Sequence, residues 1–333
     1  MKKTITFLSL SLIILIAICA YSYKKKDVSF VVMGDMPCCK KEQPMLTLPD
    51  GNLASDIKSL NVPVMVHYGD FMSGGESCTD ELYKKRRAQM FAINPHRIIY
   101  VPGDNEWTDC DRKYHKESFS ELERLDRLKT LFYKDKNFDF SKNIPNLVRQ
   151  KEQIENSMWK IGNLLMGTLH IVGTHNGRIN IMKDDINNSL DAVDRRDANN
   201  MQWLERLFNN AKDASGLVIV FHADIYNFKK NLPACTKEKR QKCDPYKNIR
   251  NRIEELASTY QKPVLVIHGD TNAYCFNHLN KKITNLWHFN GPGDYKVSDA
   301  GYITFHENNT SNPFEVRGVL NRSTPPKVCD YRR

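Results

Sequence analysis

The sequence lacks a run of about 20 apolar residues, the length that a membrane-spanning helix needs. The apolar run at residues 7–20 is shorter than that. The chain also has no internal repeat, no low-complexity tract and no change of composition along its length, which argues against repeat architectures, disordered linkers and a second domain. With 41% hydrophobic and 26% charged residues, its 333 residues have the composition of a globular protein.

The N-terminal segment has the charged start and short apolar run of a secretory signal, followed by small residues at Ala20 and Ser22. We therefore predict a signal peptide at residues 1–22 and a single domain at residues 27–333, in an exported protein that is periplasmic or extracellular. The alternative is an uncleaved membrane anchor that extends to residue 26. Membrane contact would then be made through this segment alone.

Cysteine is the next informative residue type. The chain has nine cysteines, and Cys19 in the leader leaves an even number, which in an exported chain predicts disulfides rather than metal thiolates. We expect a local pair between Cys235 and Cys243. A bridge between Cys78 and Cys110 would tie two polar loops together. The partners of the remaining four cysteines stay unassigned: Cys38, Cys39, Cys275 and Cys329. The alternative to disulfides is that the cysteines are reduced structural thiols.

The formal net charge is +10. Much of the excess lies in clusters at residues 84–87 and 237–242, which lack interleaved aromatic residues and match no nucleic-acid-binding module. We interpret them as solvated faces and predict no nucleic-acid partner. A basic surface still favours anionic substrates.

Buried strands alternate with amphipathic helices along the chain, a pattern typical of a parallel sheet in an α/β fold. Strands are predicted at residues 28–33, 63–68, 97–101, 217–221 and 263–267, with one or two strands at 164–173 and antiparallel strands at 302–305 and 314–319. Helices are predicted at residues 53–60, 84–93, 119–133, 197–214 and 248–260, with an irregular excursion at 134–158.

The strands deliver polar residues at their carboxyl ends. Four apolar strands end at a Gly-Asp pair, which places Asp35, Asp70, Asp104 and Asp270 at strand ends, and a fifth strand ends at His222. Ligands of open α/β sheets bind at this edge. Several carboxylates at ligand distance repel one another unless a cation is bound. A single Gly-Asp pair is also typical of a turn or a helix cap, but the ordered set favours a metal site.

The order of these motifs resembles the calcineurin-like metallophosphoesterase family, in a divergent branch with a Gly-Asp-Asn-Glu-Trp motif at residues 103–107. Residues 34–35 match the first aspartate motif, Asp70 the bridging aspartate, residues 103–106 the Gly-Asn-His-Asp/Glu motif, His222 the lone histidine, and residues 269–272 the Gly-His-x-His motif. The resemblance implies a four-layer α/β/β/α sandwich of two mixed sheets flanked by helices. It implies two divalent ions, with these candidate ligands: Asp35, Asp70, Asp104, Asn105, His222, His268, Asp270 and Asn272.

The chain departs from the family pattern at several histidines. Pro37 stands where the Asp-x-His motif has its histidine, and Asn105 replaces the histidine credited with steadying the leaving group. Asp270 and Asn272 replace both histidines of the last motif, so oxygen ligands favour Mg, Mn or Ca over an iron or zinc pair. His268 and His175 could supply a missing imidazole from adjacent positions. The candidate catalytic residues are Asn105 and His175.

The resemblance implies an exported, metal-dependent phosphoric ester hydrolase in which a metal-bound hydroxide attacks phosphorus. The predicted partner is a phosphorylated small molecule or another phosphoester, and a monomer is expected. The lost histidines motivate an alternative, a catalytically degenerate fold that acts as a binding or surface-interaction protein. A third, weaker alternative is a non-hydrolytic protein held at a membrane by its N-terminal segment.

Overall fold

The computed structural model describes residues 27–228, 231–271, 273–279, 282–293 and 296–331. The predicted signal peptide at residues 1–22 and the predicted ligand Asn272 lie outside these ranges. Within them, none of the helices has the length and apolar character required to cross a membrane.

Strands and helices alternate through most of the chain. The strands are β1 Val28–Met33, β2 Met65–His67, β3 Ile98–Tyr100, β4 Val148–Arg149, β5 Ser157–Ile161, β6 Leu164–Thr168, β7 Gly216–Val220, β8 Val264–His268, β9 Cys275–His278, β10 Leu286–Asn290, β11 Gly301–Phe305 and β12 Phe314–Gly318. The α-helices are α1 Glu42–Met45, α2 Asn52–Leu60, α3 Asp80–Ile93, α4 Glu121–Lys129, α5 Ile186–Asn210 and α6 Lys247–Tyr260. Short 3-10 or π turns lie at Thr130–Lys134, Lys136–Phe138 and Ala211–Asp213.

The strands form two mixed sheets. The first has the order β12-β11-β1-β2-β3, in which β1, β2 and β3 are parallel and β11 and β12 are antiparallel. The second has the order β4-β5-β6-β7-β8-β10-β9, with a parallel centre from β6 to β10 and antiparallel strands at its edges. The parallel strands of each sheet therefore end at one edge, where ligands bind in α/β proteins.

Successive strand residues point to opposite sides of each sheet, and both sides are buried. In β1, Val31 packs in a core shared with α2, α3 and α4, whereas Val32 faces the second sheet. In β8, Ile267 faces the first sheet, and Val266 packs against α5 and α6. Three cores separate four layers, so the predicted α/β/β/α sandwich is confirmed.

Several boundaries differ from the sequence prediction. Helix α5 begins at Ile186 rather than at residue 197, with the side chain of Asp185 capping its first turn. The segment predicted as irregular at 134–158 contains β4 and the start of β5, and the strand predicted at 164–173 ends at Thr168. Strands β9 and β10 were not predicted, although β10 is an inner strand of the second sheet.

Three disulfides link the described part of the chain. The predicted pairs Cys78–Cys110 and Cys235–Cys243 are confirmed. The first ties the loop after β2 to the loop after β3. The third joins Cys275 of β9 to Cys329 near the C-terminus, and Cys38 and Cys39 belong to none of these three bonds.

Candidate metal centre

Three strand-end aspartates share an uncommon backbone conformation. Asp35, Asp70 and Asp270 follow β1, β2 and β8, and their φ angles are 51°, 55° and 68°. Aspartate adopts this left-handed conformation more readily than most residues with a side chain. Strained backbone of this kind persists where the surrounding structure enforces it, and it clusters at binding and active sites.

In two of the Gly-Asp pairs, the glycine lies against the aspartate side chain of another pair. A Cβ atom on Gly269 would lie 1.9 Å from Oδ2 of Asp35, and one on Gly103 would lie 2.0 Å from Oδ1 of Asp70. Both contacts are too short for any residue except glycine. The repeated Gly-Asp pair therefore lets carboxylates pack together, both between the adjacent strands β2 and β3 and between β1 and β8 of the two different sheets.

We refer to Asp35, Asp70, Asp104, His222 and Asp270 as the carboxylate cluster. His222 lies at its centre, with Nε2 3.0 Å from Oδ1 of Asp104 and 3.4 Å from Oδ1 of Asp70. The ligand atoms of Asp35, Asp70 and His222 lie within 4.8 Å of one another, as do those of Asp104, His222 and Asp270. The structure thus brings together five of the residues predicted as ligands.

The orientation of His222 suits a metal ligand. Its Nδ1 lies 3.0 Å from the carbonyl oxygen of Tyr68 and can donate a hydrogen bond to it. A proton held on Nδ1 leaves the lone pair of Nε2 directed at the carboxylates. Ligating histidines in metalloproteins are commonly fixed in this way.

Burial and repulsion disturb the protonation of the cluster. Burial raises the pKa of Asp70 well above its usual range, with His222 opposing the rise and Asp104 adding to it. Burial raises the pKa of Asp270 to about 7, again with a contribution from Asp104. Burial alone would lower the pKa of His222, but the charge of Asp70 and the hydrogen bond to Asp104 raise it well above normal. The cluster therefore favours added positive charge, which a divalent ion supplies.

Glu106 holds the loop after β3 in place. Its buried carboxylate accepts hydrogen bonds from the backbone N–H of Gly103 at 2.7 Å, from that of Asp70 at 3.0 Å, and from the hydroxyl of Tyr100 at 2.8 Å. These hydrogen bonds fix the backbone of the loops that contain Asp70 and Asp104. Outer partners of this kind set the geometry of metal ligands.

Asn105 lies beside the carboxylate cluster. Its backbone N–H donates to Oδ1 of Asp70 at 3.1 Å, and its side-chain amide donates to the carbonyl oxygen of Met72 at 3.0 Å. A Cβ on Gly74 would lie within 2.8 Å of both Asn105 Oδ1 and Arg112 Nη1, so these two side chains are neighbours. Arg112 also pairs with Asp109. Arg112 and Asp109 were not predicted, although both lie in or next to the polar run after β3.

His175 lies on a left-handed turn, and the neighbouring residue Thr174 contacts the carboxylate cluster. Thr174, His175 and Asn176 have φ angles of 47°, 50° and 57°. The hydroxyl of Thr174 is 2.8 Å from Oδ2 of Asp104. The ring of His175 packs edge-on against Phe228, with ring centroids 5.4 Å apart.

The structure places His268 in a second group, with Asp224 and His288, which we call the imidazole cluster. His268 is the last residue of β8, and its Nε2 lies 2.6 Å from Nε2 of His288 on β10. It is thus turned along the sheet towards β10, whereas Asp270 reaches the carboxylate cluster. Asp224 was not predicted, although its position two residues after the predicted ligand His222 could have identified it as a further candidate ligand. His288 lies on a strand that the sequence pattern did not reveal.

Comparisons with known proteins identify the family and the fold. A family model described as calcineurin-like phosphoesterase matches residues 28–274. Among solved structures, a dimetal phosphatase from Danio rerio is similar with a TM-score of 0.54 and 11% identity, over 87% of this chain and 95% of that chain. At that identity the likeness shows the fold. A 5'-nucleotidase from Candida albicans SC5314 matches with a TM-score of 0.47 and 9% identity, over 87% of this chain and 50% of that chain. A search of curated protein sequences finds no match.

Proposed function

The chain belongs to the calcineurin-like phosphoesterase family, and from that premise we propose that it is a metal-dependent phosphoric ester hydrolase. The observation that carries the proposal is the convergence of four strand-end carboxylates on His222. Asp35 and Asp70 would hold one ion, and Asp104, His222 and Asp270 a second, with Asp70 between the two. Asn272 remains a predicted ligand.

The donor set fits small, hard divalent ions. Carboxylate oxygens outnumber imidazole nitrogens in the carboxylate cluster, which favours Mg, Mn or Ca over Zn or Fe. When bound, two ions in such a site lower the pKa of a shared water, orient the phosphate and stabilise charge on the attacking and leaving oxygens.

The chain's own residues would position and bind the substrate. Glu106 holds Asp70 and the loop after β3 in register, so that the ligand carboxylates do not need to reorganise. Arg112, next to Asn105, would attract and orient an anionic phosphate, because guanidinium pairs well with phosphate oxygens. The amide of Asn105 can donate a hydrogen bond to a leaving-group oxygen, but it cannot transfer a proton as an imidazole does.

We also propose that the protein is exported. Three disulfides in the described part of the chain suit an oxidising compartment, and the leader has the form of a signal peptide. N-terminal sequencing of the mature protein should find a first residue near Tyr23. A mature chain that still begins at Met1 would contradict cleavage.

The hydrolase proposal is tested by stripping the full-length protein of metal and adding back Mn, Mg or Zn. We expect at least one ion to restore release of nitrophenol from p-nitrophenyl phosphate or its diester analogue. Asp126→Asn, which alters a carboxylate with 82% side-chain exposure, is the matched control and should keep full activity. No turnover with any ion, together with no bound metal, would overturn the proposal and leave a binding function in its place.

A further inference from the structure

The imidazole cluster is buried and lies on β8, β10 and the loop after β7 of the second sheet. His268 and His288 are fully buried and Asp224 is 4% exposed. The two Nε2 atoms are 2.6 Å apart, and Oδ1 of Asp224 lies 3.7 Å from Nε2 of His268. The cluster shares no residue with the carboxylate cluster.

The proton of His288 can be placed from its neighbours. Its Nδ1 lies 3.3 Å from Oδ1 of Asn277. The amide of Asn277 has a defined orientation, because its Nδ2 donates to the carbonyl oxygen of Lys327 at 3.0 Å. Asn277 therefore presents an acceptor to His288, so Nδ1 carries the proton and Nε2 carries a lone pair.

His268 has the same arrangement. Its Nδ1 lies 3.2 Å from the carbonyl oxygen of Gly269, which can act only as an acceptor. With a proton on Nδ1, the Nε2 lone pair of His268 faces that of His288, beside the carboxylate of Asp224. The two nitrogen lone pairs then face each other at 2.6 Å with no hydrogen between them, which is unfavourable unless a cation lies there. Oδ1 of Asp224 lies 3.7 Å from Nε2 of His268 and already accepts two backbone N–H groups of its own loop.

A second observation comes from Asn290, which is fully buried. Its Nδ2 donates to Oδ2 of Asp224 at 3.1 Å, so its amide lies against the cluster. Among the described residues, its Oδ1 has no hydrogen-bond partner. Asn290 is on the same side of β10 as His288 and is paired in register with His268. A buried carbonyl oxygen that lacks a hydrogen-bond donor, on a side chain that contacts Asp224, is a second sign that positive charge is missing from this region.

We propose that Asp224, His268 and His288 bind a structural divalent ion of the zinc class, in a site separate from the carboxylate cluster. Two imidazole nitrogens and one carboxylate oxygen form a donor set that zinc prefers, at distances of about 2.0–2.1 Å. Zn–N distances of about 2.0–2.1 Å in a tetrahedral site separate two nitrogens by roughly 3.3 Å, so binding would move the two rings apart from their separation of 2.6 Å. The disulfide Cys275–Cys329 lies against His288 and helps to close the site.

Such an ion would tie β8 and β10 to the loop after β7. That loop carries His222, and the backbone N–H of Asp224 donates to Oδ2 of Asp270 at 3.3 Å. The ion would therefore stabilise the backbone that supports the carboxylate cluster without touching substrate.

The test uses the full-length protein purified with zinc and treated briefly with a chelator that removes loosely bound ions. Zinc content is measured by mass spectrometry, and the site is also loaded with cobalt, whose visible spectrum reports a tetrahedral nitrogen-containing site. We expect His288→Phe, which keeps an aromatic ring in the same space, to lose about one zinc ion per chain and the cobalt absorption. Equal zinc content and an equal spectrum in His288→Phe and the unaltered protein would overturn the proposal.

A second variant keeps the test decisive if His288→Phe does not fold. Asp70→Asn weakens the carboxylate cluster and leaves the imidazole cluster intact, so it should retain the zinc ion and the cobalt spectrum. Absence of both from a folded Asp70→Asn protein would contradict the site and indicate instead that His268 donates its Nε2 proton to His288.

Discussion

The carboxylate cluster and the imidazole cluster are neighbours, linked by the hydrogen bond from Asp224 N–H to Asp270. One has four carboxylates and a single imidazole, whereas the other has two imidazoles and a single carboxylate. The first should select hard ions and the second zinc-class ions. Neighbouring strand ends of one fold can thus present two different donor chemistries.

The two clusters also differ in their backbone. The aspartates of the carboxylate cluster lie on loops just beyond the strands, three of them in the left-handed conformation. The histidines of the imidazole cluster lie within β8 and β10 and are fully buried. Loops that carry ligands suit a site that admits substrate, whereas strand residues suit a site that holds the fold together.

Among changes that distinguish the two clusters, Asp70→Asn is expected to have the largest effect on the hydrolysis rate. The amide removes the charge that would lie between two ions, and asparagine tolerates the left-handed backbone, so the fold should persist. Because outer partners of metal ligands alone contribute about 10–100-fold, we expect the hydrolysis rate to fall by more than about 100-fold. Steady-state kinetics with Mn measures this fall. A rate within tenfold of the unaltered protein would mean that Asp70 is not a central ligand.

A smaller effect is expected when an imidazole is added to the carboxylate cluster by Asn105→His. Histidine can donate a proton to a leaving oxygen. Such general acid catalysis contributes about 100-fold or more when the donor is well placed. We expect a rise of roughly tenfold for alkyl phosphates, since the position is not optimised for a ring. Nitrophenyl phosphates, whose leaving group needs no proton, should change little. An unchanged ratio of alkyl to aryl rates would contradict the role given to this position.

The smallest effect on the hydrolysis rate is expected from a carboxyl pair outside both clusters, which instead affects the free energy of unfolding. Burial raises the pKa of Glu121 to about 10, and the charge of Asp111 adds to the rise. The folded protein therefore keeps a proton that the unfolded chain loses above about pH 4.5, so this group makes the free energy of unfolding fall between about pH 5 and pH 10. Glu121→Gln should remove about 1 kcal/mol of that fall for each pH unit within this range.

Urea unfolding of Glu121→Gln and the unaltered protein at pH 5, 7 and 9 measures the difference. Parallel pH profiles would show that Glu121 is ionised in the folded state. Burial would then not keep this carboxyl group protonated in the folded protein.

The fold and the carboxylate cluster were largely predictable because their signals are local. Each of the strands that precede Asp35, Asp70 and Asp270 is an apolar run that ends at glycine. The parallel pairing of β1 with β2, and the packing of their sheet on the sheet that contains β8, bring the strand ends together. The disulfide between Cys78 and Cys110 was predictable for the same reason, since both cysteines follow strand-end loops.

The imidazole cluster was not predictable, because it depends on the order of strands in the sheet. His288 lies on β10, a short strand after a polar lysine-rich segment, and only its pairing with β8 brings it next to His268. The early start of α5 was missed because Asn187, Asn188 and Ser189 are poor helix formers. Tertiary packing outweighs local preference at both positions.

Anomalous diffraction from crystals soaked in Mn tests the central claim most directly. We predict two manganese peaks in the carboxylate cluster, about 3.5–4 Å apart on either side of Asp70, as in other two-metal hydrolytic sites. No peak within ligand distance of Asp70 and His222 would contradict the account.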